Sequence, residues 1–329
     1  MNKLFLVLTL VSIAVAGCGS SENDGTGGQA GAGGSGGTAG VGGLGGNGGA
    51  GGTGPKCQTP QEMIRCDKVL NIAHRGGRRI RPEHTIVAYD QALLDGADIL
   101  ELDVHETMDG VLVVMHDGTV NRTTDCTGAI KEMLFADIRE CDAGYNFDPD
   151  GDESYPYRGM GLVVPTMVEV FERYPETAFV IEVKQSNPSI VDHFVEVIRE
   201  HGVEDKMTGS AFDDALLQEL RIAAPEIPTN LGETEVLVFW GKSSDPGGLD
   251  PEYEPPAEFL QVPTERGGIP VLHPDFVPVA HELGMYVHVW TINDEEEMRF
   301  LLENYDLDGI MTDDPPLLAK VIDELGLGD

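Results

Sequence analysis

Glu101 and Asp103 stand two residues apart, flanked by Leu100, Leu102 and Val104. On an extended strand the two carboxylates share one face while the apolar side chains take the other. Carboxylates so placed invite a cation. Downstream, Asp109-Gly110 is a hairpin signal that makes Val111–Met115 an antiparallel return strand. A tight turn there pairs Met108 with Val111, and counting back along both strands sets His116 opposite Asp103. That register holds for any even loop length. Glu182 and Lys184 repeat the period-two arrangement around Val183, at the end of the apolar run Phe179–Ile181. Three such carboxylates offer hard oxygen ligands to Mg²⁺ or Ca²⁺ and leave positions open for substrate oxygens. Lys184 and Arg75 suit a phosphate. His74-Arg75-Gly76-Gly77 adds a second histidine and glycines that let backbone N–H groups approach an oxyanion. Two histidines flanking a metal-bound phosphoryl group can divide proton removal and proton donation between them.

The elements that must position these residues alternate short β-branched runs with amphipathic stretches, the pattern of βα units around a parallel sheet. Strands are expected at Leu70–Ala73, Ile99–Val104, Val111–Met115, Phe179–Val183, Lys206–Ser210, Pro228–Leu231, Phe259–Val262, Tyr286–Trp290 and Gly309–Met311. Removing the hairpin strand leaves eight, which predicts an α/β fold of the TIM (β/α)8 barrel type, with an extra antiparallel strand after the second barrel strand. Helices are expected over Thr85–Leu94, Ser189–Glu200, Asp213–Arg221, Asp275–Leu283, Glu295–Leu302 and Pro316–Leu325, several opening on Ser, Thr or Asp N-caps. Gly144–Gly161 and Glu233–Pro256, rich in Pro, Gly and acid, read as long loops over one barrel face.

Ahead of this domain, Lys3 precedes an apolar run from Leu4 to Ala16, too short to span a bilayer comfortably, so residues 1–17 read as a signal peptide. Val15-Ala16-Gly17-Cys18 resembles the bacterial lipobox, which makes Cys18 a lipidated membrane anchor and the protein an exported bacterial lipoprotein, periplasmic or cell-surface. Residues 18–55 form a Gly-rich flexible tether without the strict period of collagen. Residues 56–329 make one large domain. With Cys18 set aside, Cys57, Cys66, Cys126 and Cys141 are an even number in an exported protein, and sequence proximity favours disulfides 57–66 and 126–141. The formal charge of -36 argues against a nucleic-acid partner. An anionic substrate needs a field inverted locally by a metal ion and a few cations.

His74-Arg75-Gly76, Pro82-Glu83-His84-Thr85, Glu101-Leu102-Asp103, His116-Asp117, Glu182-Val183-Lys184, Trp290-Thr291 and Asp308-Gly309-Ile310-Met311-Thr312-Asp313 occur in that order between about Ile72 and Pro315. The series resembles the glycerophosphodiester phosphodiesterases. The resemblance implies a TIM-type barrel, one divalent cation (Ca²⁺ or Mg²⁺) on Glu101, Asp103 and Glu182, and catalytic His74 and His116. It further implies phosphate contacts from Arg75 and Lys184, with Glu83 and Trp290 also on the substrate side. The second motif often reads Pro-Glu-Asn-Thr, and His84 takes the Asn position, which leaves its own role open. The expected reaction converts glycerophosphodiesters, such as deacylated phospholipid headgroups, to sn-glycerol 3-phosphate and an alcohol. Alternatives are a phospholipase D-like or lysophospholipase D-like enzyme acting on intact lipid at the membrane, and a non-catalytic phosphoester-binding surface lipoprotein. His105 shares a face with Asp103 and competes with His116 as second catalytic group. Asp148-Pro149-Asp150-Gly151-Asp152 misses the EF-hand positions. Residues 56–329 have no Gly-x-Ser-x-Gly elbow.

Overall fold

The computed structural model describes Cys57, residues 59–245 and residues 252–328. The expected signal peptide, Cys18 and the tether lie outside the described residues. In chain order the elements are α1 (Pro60–Met63), β1 (Leu70–Ala73), α2 (Ile86–Leu94), β2 (Ile99–Glu106), β3 (Leu112–Val114), α3 (Phe135–Arg139), α4 (Met167–Arg173), β4 (Ala178–Val183), α5 (Val191–His201) and β5 (Met207–Ser210). They continue with α6 (Asp214–Ala223), α7 (Glu233–Ser243), β6 (Phe259–Pro263), β7 (Glu265–Arg266), β8 (Ile269–Pro270), α8 (Phe276–Glu282), β9 (Tyr286–Trp290), α9 (Glu295–Asn304), β10 (Gly309–Thr312) and α10 (Pro315–Leu325).

The sheet runs β5-β4-β2-β1-β10-β9-β6, each neighbouring pair parallel. Its two ends meet through a short eighth stave: Thr229 bridges Gly209 of β5 and Asn230 bridges Phe259 of β6, both parallel. That closure is the TIM-type barrel, with residues expected as a full strand at 228–231 reduced to two bridges.

Strand alternation divides the core. Leu100, Leu102, Val104, Phe179, Ile181 and Val183 face outward and pack with Phe194, Val195 and Ile198 of α5. Apolar residues of α5 recur at i, i+3, i+4 and i+7, so its buried stripe faces the sheet, and Gly202 (φ 59°) ends it in the left-handed conformation that glycine adopts at low cost. Inward-facing Leu70, Ile72, Ile99, Ala178, Val180 and Met311 form a separate cluster at the N-terminal end of the barrel, closed by Ile64 and Cys66. The Cys57–Cys66 disulfide, with Cα atoms 5.6 Å apart, fixes this floor. Cys126–Cys141 forms as well, at 5.7 Å.

Two expectations need correction. The return strand β3 pairs antiparallel with β2 as Val104↔Val114, His105↔Val113 and Glu106↔Leu112. The Thr107 N–H bonds the Val111 carbonyl, so three residues (Met108, Asp109, Gly110) fill the turn, with Gly110 at φ 78°. An odd loop shifts the register by one, and Met115, not His116, lies opposite Asp103. Second, the first part of the expected loop Glu233–Pro256 is helix α7. Glu235 reaches back to the Gly232 N–H at 2.9 Å and forms a bidentate pair with Arg221, a start signal that the Pro- and Gly-rich composition further along obscures.

Candidate active site

The charged residues collect where barrel strands end, at the C-terminal face that carries active sites in this architecture. Glu101 and Asp103 sit on β2, almost completely buried, with Glu182 in parallel register beside Asp103 on β4. His74 and Arg75 follow β1, Lys184 follows β4, His116 follows β3, Trp290 ends β9 and Asp313 follows β10. The loop after β1 turns sharply: Arg75 has φ 53°, and Gly76 (φ 78°) packs so tightly that a Cβ there would meet Ala88 Cβ at 2.9 Å. These glycines are needed for backbone turn and helix packing rather than for exposing amides to an oxyanion. The Arg75 N–H is already taken, donating to Glu101 Oε2 at 2.8 Å.

Around Asp103 the charges interlock. Lys184 Nζ lies 2.9 Å from Glu182 Oε1 and 3.6 Å from Asp103 Oδ1, and Arg75 Nε lies 3.4 Å from Asp103 Oδ2. Burial opposes the Asp103 charge, but the His84 hydrogen bond and the charges of Lys184 and Arg75 outweigh it and hold Asp103 well below the usual carboxylate range. Burial and the neighbouring Asp103 charge drive Glu101 well above it. The same two causes, partly offset by Lys184, raise Glu182 to about 7. Two of three adjacent carboxyls thus resist ionising without a further positive charge. All-oxygen donors, burial and this mutual repulsion fit a hard divalent cation such as Mg²⁺ or Ca²⁺.

His84 enters the cluster in a way the sequence left open. Its ligand-capable nitrogen groups with carboxylate oxygens of Glu101 and Asp103, all within 4.8 Å of one another. The residue has φ 57°, a left-handed conformation in which Asn and His are enriched, which explains how one replaces the other in this turn. Nε2 lies 2.8 Å from Asp103 Oδ2 and Nδ1 2.7 Å from the Tyr89 hydroxyl. Neutral His84 donates from Nε2 to the carboxylate and accepts from Tyr89, so it orients Asp103. Burial lowers its pKa and favours that neutral form. The next residue, Thr85, caps α2 by accepting the Ala88 N–H at 3.2 Å.

Both expected catalytic histidines are held through Nδ1 by a carboxylate. His74 Nδ1 is 2.5 Å from Asp313 Oδ1, and His116 Nδ1 is 2.7 Å from Asp117 Oδ1. A carboxylate acceptor fixes the proton on Nδ1 and leaves Nε2 free for chemistry. Asp313 is itself oriented by the Asn293 amide at 2.8 Å and Arg78 Nε at 2.9 Å. Burial lowers the His116 pKa, partly countered by Asp103 and Asp117. His105, the competing histidine, turns its Nε2 to the His116 carbonyl at 3.2 Å and so supports that residue.

Glu83 is buried between two guanidiniums: Arg122 at 2.6 and 2.8 Å, and Arg75 at 3.3 Å. Burial works against its charge, yet the Arg122 hydrogen bond and the charges of Arg122 and Arg75 bring it down to about 2. The half-buried Trp290 meets Phe212 edge-on, ring centroids 5.6 Å apart, and Lys184 Nζ lies 5.6 Å from the Phe212 ring. Sequence reasoning missed Asp313 and Asp117 as partners although both stood inside quoted motifs. Arg122 and Phe212 carried no local signal at all. Asp148–Asp152 lies in the irregular segment between α3 and α4, where Asp148 Oδ2 accepts the Glu153 N–H and Asp152 Oδ1 the Ser154 N–H.

The profile of the glycerophosphoryl diester phosphodiesterase family matches residues 74–317. A glycerophosphodiester phosphodiesterase of Caldanaerobacter subterraneus subsp. tengcongensis is 31% identical over 267 residues, spanning 78% of this chain and 98% of that protein. One from Bacillus subtilis (strain 168) is also 31% identical, covering 78% of this chain and 87% of the relative. Among solved structures, a glycerophosphodiester phosphodiesterase from Agrobacterium tumefaciens str. C58 has a TM-score of 0.61 and 28% identity, over 77% of this chain and 99% of that one. Barrel, site and similarity along nearly the full length of these relatives converge: the chain belongs to the glycerophosphoryl diester phosphodiesterase family.

Proposed function

We propose that this protein hydrolyses glycerophosphodiesters to sn-glycerol 3-phosphate and an alcohol, with His74 and His116 as the proton-transferring pair. The observation that carries this reading is that each histidine is fixed through Nδ1 by its own carboxylate, just past strands that both pair with the one bearing Glu101 and Asp103. Glu101, Asp103 and Glu182 would hold a divalent cation, with His84 orienting Asp103. Such a cation polarises a phosphoryl oxygen and offsets charge growing on it. Arg75 and Lys184, already over these carboxylates, bind the remaining phosphate oxygens. His74 Nε2 accepts the proton of the attacking oxygen, and His116 Nε2 delivers one to the departing alkoxide. Trp290 and Phe212 form an apolar wall beside Lys184 that shields the phosphate contacts from water.

Residues 1–17 are read as an export signal and Cys18 as the lipidated residue, on the strength of the apolar run and lipobox-like sequence. Replacing Cys18→Ser should move the protein from the detergent phase to the aqueous phase on partition.

The test of activity is a panel of glycerophosphocholine, glycerophosphoethanolamine and lysophosphatidylcholine, with glycerol 3-phosphate followed enzymatically for the first two and released choline for the lysolipid. Release from the first two in Mg²⁺ or Ca²⁺, abolished by EDTA, is expected. Turnover of the lysolipid alone would instead favour an enzyme of intact lipids, and no glycerol 3-phosphate from any of them would sink the reading.

A further inference from the structure

We infer that Arg122 is a positioning residue that locks the His116–Asp117 pair to Glu83 and, through Glu83, to Arg75. The inference rests on the functional reading above for what His116 does, but its geometry stands by itself. Arg122 Nε lies 2.8 Å from Asp117 Oδ2 and its Nη2 3.1 Å from Asp117 Oδ1. The other edge of the same guanidinium meets Glu83, Nη1 to Oε2 at 2.8 Å and Nη2 to Oε1 at 2.6 Å. Four of the five guanidinium N–H groups are thereby committed to two carboxylates, which disqualifies Arg122 as a free phosphate ligand and makes it a planar spacer. Asp117 Oδ1 is shared with His116 Nδ1, and Glu83 Oε1 with Arg75 Nη1 at 3.3 Å. One continuous chain of contacts therefore links a phosphate-holding cation to a proton-transferring imidazole across two separate loops.

The backbone under Arg122 is braced for this. The Asn146 amide donates to the Arg122 carbonyl at 3.1 Å and to the Thr124 carbonyl at 2.8 Å, so the irregular segment after β3 buttresses the arginine. The Cys126–Cys141 disulfide closes the same segment from the other side. A lysine at 122 retains the charge but not the fork, and reaches one carboxylate only.

Arg122 also sets how much of Asp117's charge His116 feels. With the guanidinium in place, that carboxylate divides its lone pairs between imidazole and arginine. Without it, Asp117 faces His116 alone and the imidazolium gains. The other charged groups acting on His116 are Asp103, Arg75 and Lys184, with His105 on its carbonyl, and none of them contacts Arg122.

The test uses R122M and R122K in the full chain with saturating Mg²⁺, their folding checked by circular dichroism; R122K serves should R122M fail to fold. The His116 ring is titrated by NMR and steady-state kinetics are taken on glycerophosphocholine. Displacing a proton donor by a fraction of its working geometry costs up to about a hundredfold, so kcat should drop by about tenfold or more in each variant. The His116 titration should move to higher pH in R122M. A His116 titration unchanged in R122M, or in R122K where only that variant folds, overturns the proposal whatever the rate does. A shifted titration in a protein that releases no glycerol 3-phosphate upholds Arg122's role and overturns only the assigned activity.

Discussion

Asp313 Oδ1 lies 2.5 Å from His74 Nδ1, although 239 residues separate them in the chain. β1 and β10 are neighbours in the closed ring, in register from Leu70↔Gly309 to Ala73↔Thr312, so the residues that follow them emerge side by side. Asp313→Asn places an amide where the carboxylate stood, and its N–H competes for the nitrogen that must carry the proton. General acid–base groups contribute about 10²- to 10⁴-fold, and a kcat loss in that range with little change in KM is expected for D313N. Activity within threefold of wild type would remove Asp313 from the mechanism.

His116→Ala deletes a partly exposed ring that bonds Asp117 and keeps the backbone carbonyl that His105 meets. Fold and stability should change little, while turnover of glycerophosphocholine falls by about a hundredfold or more. A leaving group of low pKa needs no protonation, so an aryl phosphodiester should lose less. Equal losses on both substrates would assign His116 to another step.

Metal removal should alter the pH dependence of stability. In cation-free protein Glu182 titrates at about 7 and Glu101 above the ordinary carboxylate range, whereas unfolded glutamates titrate at about 4.3. Between those limits these two glutamates hold more protons folded than unfolded, so their own contribution to stability falls as pH rises from about 5 to 7, while His84, His105, His116, His273 and His288, whose pKa burial lowers, contribute in the opposite sense. Asp103 and Asp313, whose carboxyls are lowered, act in the opposite sense but lose their contribution only below about pH 4. In EDTA, Glu182→Gln should gain melting temperature relative to the unsubstituted protein as pH rises through this window, and saturating Mg²⁺ or Ca²⁺ should remove that gain. Calorimetry should also record proton release on cation binding. A difference between the two proteins that stays constant across this window contradicts the clustering of these carboxyls.

The Cys126–Cys141 disulfide closes a loop of 15 residues, for which chain entropy gives about 3 kcal/mol. Cys126→Ser/Cys141→Ser should cost a sum of that order in urea unfolding. Because Arg122 stands just ahead of Cys126 in the chain, the double variant should lose activity before it loses the barrel. Unfolding and inactivation at the same urea concentration would deny any local role.

What could be read from the sequence was what depends on short-range periodicity. Glu101, Asp103, Glu182 and Lys184 fall on their faces because alternation along a strand is a property of the strand itself. The placement of His116 opposite Asp103 failed because register counts the turn residues, and Met108-Asp109-Gly110 is three where the argument needed an even number. Helix α7 was hidden by Pro and Gly that lie beyond it. The seven-residue α4 is too short for a helical period, although its Thr166–Glu169 capping box was a usable sign. Partners fixed only by barrel closure, Asp313 above all, carry no signature near the residue they serve.

The floor of the barrel bears on how the domain responds to tension. Cys57 is where the described domain begins, and its disulfide leads to Cys66, four residues before β1 and packed among Leu70, Ile72 and Val180. Arg65 ties the same segment to Glu258 at 2.8 Å, and Gln61 ties it to Asp205 at 3.2 Å. A pull on the chain upstream of Cys57 therefore passes through a covalent link into the core and spreads across several strands at once. Load arriving at Cys57 would thus be shared by the floor of the barrel before it reached the strand ends that carry the site.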